Sequence, residues 1–137
     1  MIRIHILMYH RVGHFPHRMP SHRGQYCHLP CFKAQMAMLK RFGYSVIGLD
    51  EAVAGLLGQK PLPPRPVVLT FDDGYRDNRE IARPIFRRHG IPFTVFVTSG
   101  FVDRTTMLWW KVVEEVVGMV PVLTFDLGAG PEVFETA

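Results

Sequence analysis

Three groups of residues in this chain could do chemistry. The first is Asp72-Asp73-Gly74, which directly follows the apolar run Val67-Val68-Leu69-Thr70-Phe71. Such a run reads as a strand buried on both faces. In α/β folds, ligands sit at the carboxyl ends of parallel strands. Two adjacent acids placed there repel one another unless something compensates. A divalent cation does so, with one acid as ligand and the other free to move protons. Gly74 lets the backbone turn sharply, so both side chains can face one cavity. The plainer alternative is a strand-ending turn whose acid caps the next helix. The second group is histidine: six of the seven lie within residues 5–28, and His10 and His14 are separated by three residues. The third is Cys27-His28-Leu29-Pro30-Cys31, a spacing that could hold a soft metal. Against it stands ordinary packing of Cys31 at a helix start, with His28 solvated.

These groups need elements to position them. Residues 2–9 read as a first strand, with Tyr9, His10 and Arg11 at its exit. Residues 13–30 read as a long loop rich in Gly and Pro. Phe32, Met36 and Leu39 recur at helical spacing and predict a helix over 31–42, stopped by Gly43. Tyr44 to Ile47 is a short strand, and Asp50 is the expected N-cap of a helix over 51–57. After a Pro-rich connector comes the strand 67–71. A helix over 78–89 follows, with Pro84 expected to kink it. Residues 92–98 form another strand, 99–106 a loop, 107–117 a helix and 120–127 a further strand. The last ten residues are expected to fray. Strands alternating with helices imply a parallel sheet with right-handed crossovers.

The chain has 137 residues, 47% apolar and 20% charged, which suits one globular domain or most of one. No apolar run approaches the ~20 residues of a membrane span. The net charge of +4 is small and spread along the chain, with no block of five or more like charges, so nucleic acid is not the expected partner. Two cysteines make no disulfide framework. The opening residues lack the features of a signal peptide, which points to a cytoplasmic location.

The run Thr70-Phe71-Asp72-Asp73-Gly74 resembles the first motif of the polysaccharide deacetylase family (NodB-homology, carbohydrate esterase 4). Ile6-Leu7-Met8-Tyr9-His10-Arg11-Val12 resembles the opening strand of one of its subgroups. Phe32 through Gly43-Tyr44, then Leu49-Asp50-Glu51, is similar to its first helix, next strand and next helix. Gly90-Ile91-Pro92-Phe93-Thr94-Val95-Phe96-Val97 is similar to its following strand. Leu108-Trp109-Trp110 matches a segment common in that subgroup. The likeness covers roughly residues 4–117 in the right order.

That resemblance implies a metal-dependent hydrolase that removes acetyl groups from amino sugars in a polysaccharide or oligosaccharide. Asp72 would be the general base. Asp73 would be one ligand of a divalent, zinc-like metal that polarises the acetamide carbonyl. His10 would protonate the leaving amine. The family's His-(Ser/Thr)-x-x-His ligand pair normally lies beyond the Trp-Trp segment, and no histidine follows His89. The implied fold is a partial (β/α) barrel of about five parallel strands, residues 1–137 forming the N-terminal part of the domain. Such an open barrel predicts self-association or a missing C-terminal half, and little activity alone. The alternative is a non-catalytic carbohydrate-binding remnant or subunit, with Trp109, Trp110 and Tyr75 as stacking surfaces. A sugar-nucleotide transferase would also pair acids around a metal, but no nucleotide loop accompanies them here.

Overall fold

The Val67–Phe71 run lies at the centre of the main sheet. In the computed structural model, which describes residues 3–15, 25–126 and 128–135, it forms the strand β5, Pro66–Asp72. The earlier strands are β1 (His5–Tyr9), β2 (Arg11–Gly13), β3 (Tyr26–His28) and β4 (Ser45–Val46), and β6 (Thr94–Phe96) follows. Strand β5 is the axis of a four-stranded sheet in which every pairing is parallel. β1 runs the length of one edge, from His5 beside Val67 to Tyr9 beside Phe71. β4 and β6 share the other edge, β4 against the start of β5 and β6 against its end. β2 and β3 form a separate parallel pair.

Strand alternation sends Val67, Leu69 and Phe71 to one face of the sheet. There they meet Phe32, Met36 and Leu39 of α1 (Leu29–Arg41) and Ala82 and Phe86 from the segment after β5. Phe71 and Phe86 meet edge-on, and Phe32 contacts both rings. Val68 points the other way, into a smaller cluster with Ile47 and with Ala52 of α2 (Leu49–Leu56). Leu62 of the Pro-rich connector joins it by lying against Gly55 of α2.

Several expectations are corrected. The N-cap of α2 is Gly48, and Asp50 lies within the first turn, where its charge favours the helix N-terminus. The segment expected as one kinked helix over 78–89 is a π-helical turn, Asn78–Ala82, followed by α3, Arg83–His89. The π turn runs into α3 without a break, so residues 76–89 are helical throughout and Pro84 lies just past the widened turn. The expected loop 13–30 ends in β3, and its residues 16–24 lie outside those described. The expected loop 99–106 opens with the short helix α4, Ser99–Val102.

The chain divides into two compact units after Thr98. The second holds α4, α5 (Trp109–Met119), β7 (Val122–Asp126) and β8 (Pro131–Glu135). β7 pairs antiparallel with β8, so among the described residues the main sheet has four parallel strands where about five were expected. The tail expected to fray supplies β8. Asp126 accepts backbone N–H bonds from Gly128 and Gly130, which close the turn between the two strands.

Candidate active site

Asp72 is the last residue of β5, and alternation places it with Val68 and Thr70 on the face away from α1 and α3. Asp73 follows with φ +68°, left-handed backbone that non-glycine residues adopt at a cost and that aspartate tolerates better than most. Gly74 continues the turn at φ +69°, and a Cβ there would meet Val97 Cγ2 at 3.3 Å. The turn is thus glycine-dependent twice over. Its result is that both half-buried carboxylates line one cavity of about 540 Å³, with Ile6, Met8, Thr70 and Phe96 among its walls.

His10 leaves β1 directly after the Tyr9–Phe71 pair, as Asp72 leaves β5, so the two residues exit adjacent strands at the same level. Its side chain is half-buried and outside the lining of the carboxylate cavity. His14 makes an edge contact with His28 at 5.4 Å between centroids. Cys27 is half-buried and Cys31 is exposed. Burial pushes the Cys27 thiol up, and the neighbouring Cys31 adds to this. Among the described residues no three His, Cys, Asp or Glu stand close enough to hold a metal ion. The two carboxylates alone fall short of the three protein ligands of a hydrolytic zinc.

Arg11, Asp77 and Asn78 were given no part by the sequence. Asp77 is buried. Arg11 Nε donates to its Oδ2 at 2.9 Å, and the Val12 N–H donates to its Oδ1 at 3.2 Å. Asn78 Nδ2 donates to the same Oδ1 and, at 2.8 Å, to the carbonyl of His10. Burial works against the Arg11 charge, but its hydrogen bonds to Asp77 and Tyr26 outweigh this and hold the guanidinium above its ordinary value. The guanidinium also lies over the rings of Tyr26 and Tyr75, at 5.1 and 4.9 Å. This latch ties the turn carrying His10 to the segment just after Gly74. One ring face of Tyr75 is therefore shared with Arg11.

Tyr9, the last residue of β1, packs its ring against Phe32 and Phe71. Its hydroxyl donates to Gln35 Oε1 at 2.8 Å, and burial pushes the phenol up to about 12, with Cys27 adding to the effect. In the second unit Trp109 is 66% exposed. Trp110 is half-buried against Phe101 and Trp109.

The chain that places two adjacent carboxylates on a glycine turn at the end of a parallel sheet is similar to known polysaccharide deacetylases. The family model described as polysaccharide deacetylase matches residues 59–121, which include β5, the Asp72-Asp73-Gly74 turn and β6. The putative polysaccharide deacetylase YxkH of Bacillus subtilis is 32% identical over 96 residues, covering 69% of this chain and 32% of that protein. The poly-beta-1,6-N-acetyl-D-glucosamine N-deacetylase of Escherichia coli K12 is 34% identical over 71 residues, 52% of this chain and 11% of that protein. Among solved structures, Streptococcus pyogenes deacetylase PplD in complex with acetate superposes with a TM-score of 0.62 at 26% identity, over 75% of this chain and 46% of that one. The chain thus spans about a third of the length of the first of these relatives.

Proposed function

We propose that this chain supplies the carboxylate pair of an N-deacetylase acting on amino-sugar polymers. The observation that carries the proposal is the placing of Asp72 and Asp73 on one cavity at the carboxyl end of β5. The named activities of the relatives support the reaction class. Asp72 takes a proton from water as the oxygen bonds to the acetamide carbonyl carbon. When the tetrahedral species collapses, the C–N bond breaks. The amine leaves with a proton from the His10 imidazolium, and the acetic acid formed passes its own proton to the resulting imidazole, leaving acetate as the second product. His10 stands at the right level of the sheet for this role, and its side chain must turn toward the cavity to perform it.

Asp73 is proposed as one ligand of the divalent, zinc-like metal of the family. Within the described residues the donor set does not complete that site. The remaining ligands would come from polypeptide beyond these residues, with the present sheet as the opening part of a (β/α) barrel. On this reading the 137-residue chain alone has little or no activity on N-acetylated saccharides. The test is Zn²⁺ titration by calorimetry. Weak one-to-one binding in the wild type, reduced about tenfold or more in Asp73→Ala, supports the assignment. Binding indifferent to that substitution overturns it.

The exposure of Trp109 favours one second reading, a non-catalytic sugar-binding chain. Saturable change of tryptophan fluorescence on adding chito-oligosaccharides, lost in Trp109→Ala, would favour it over the first.

A further inference from the structure

The basic residues, scattered in the sequence, gather in space. Residues 27–49 and 81–102 contain no Asp or Glu, and α1 and α3 fall inside these two stretches. The helices pack on the same face of the sheet. α1 carries Lys33, Lys40 and Arg41, and the last turn of α3 carries Arg87, Arg88 and His89. Between them opens a groove of about 680 Å³. Its floor includes Met36, Leu39, Val46, Ile85 and Ile91, all buried or half-buried. Lys33, Lys40, Arg88 and His89 stand exposed along its rim. No ion pair among the described residues engages these four side chains. Cations in a final helical turn answer the helix dipole and need no ligand. Lys33 lies in the first half of α1, where that preference does not apply. No carboxylate lines the groove.

An apolar floor under a rim of one charge sign is complementary to a molecule with an apolar body and a charged head of the opposite sign. We propose that this groove binds a single-chain anionic amphiphile, its chain along the Leu39–Ile85–Ile91 floor and its phosphate or carboxylate head among Lys33, Lys40, Arg88 and His89. The groove borders the start of β4 and the approach to β6, whereas the Asp72–Asp73 cavity lies at the carboxyl end of β5. Binding here is therefore independent of the deacetylase reading.

Calorimetry of the full chain with dodecyl phosphate, held below its micelle concentration, tests the assignment. The expected result is saturable one-to-one binding, about tenfold or more tighter than that of dodecyl maltoside or of inorganic phosphate. The paired change Lys40→Glu with Arg88→Glu should weaken it about tenfold or more, while Arg79→Glu with Arg83→Glu, an equal charge change at exposed positions outside the groove lining, should leave it within about twofold. Lys33→Gln serves as a milder variant that keeps the fold, verified by an unchanged circular dichroism spectrum, and should weaken binding in the same direction. Equal binding of dodecyl maltoside or of inorganic phosphate overturns the proposal. So does non-saturating uptake, indifference to all groove substitutions, or binding confined to anionic vesicles with none of monomeric dodecyl phosphate.

Discussion

Asp77 accepts two backbone or amide donors on one oxygen and a guanidinium on the other. Its removal strands Arg11, the Val12 N–H and part of Asn78 in a half-buried setting. Breaking such a pair costs several kcal/mol when both charges are buried, and less where one remains wetted, as Arg11 does. Asp77→Ala should therefore lower unfolding stability by about 2–3 kcal/mol, read from the urea midpoint. An Asn replacement, which keeps an acceptor for the Val12 N–H, should lose less. The carboxylate pair was legible in the sequence because its two acids are neighbours at the end of an unmistakable strand. The latch was not, because Arg11 and Asp77 are 66 positions apart and each looks like an ordinary solvated charge until the fold joins them. Asp73 was legible as a turn residue, but its left-handed backbone could not be told from that of Gly74 beside it.

At the scale of elements, the apolar run of β5 and the helical spacing of α1 fixed where those elements lie. What failed was local and physical. Pro84 suggested a kink within one helix; the segment is one run of helix, and the irregularity takes the form of a π turn just before the proline. The β7–β8 hairpin escaped notice because Pro131 and two acids dilute the apolar pattern of its second strand, and its turn is held by the Asp126 side chain. The approach of the connector to α2 also depends on one residue. An added methyl at Gly55 would overlap the Leu62 side chain. Gly55→Ala should cost about 1–3 kcal/mol through overpacking, despite the better helix propensity of alanine. Leu62→Ala in the same background should recover part of that loss in urea unfolding.

At the scale of the whole molecule, the sheet face that carries Asp72 keeps much apolar surface in water. Ile6 is 60%, Met8 59% and Phe96 51% exposed. β1 also leaves one hydrogen-bonding edge without a strand among the described residues. Both features favour association. Sedimentation velocity should show concentration-dependent oligomers, and the double change Ile6→Lys with Phe96→Lys should shift the distribution toward monomer. A wild-type chain that stays monomeric at high concentration would count against the open-barrel proposal. The division after Thr98 carries a different consequence. Residues 1–98 hold fourteen Lys and Arg against six Asp and Glu, whereas residues 99–137 hold two against six. Proteolytic cleavage near that boundary would yield a cationic and an anionic piece from a weakly basic parent. At neutral pH the two would be retained by ion exchangers of opposite sign.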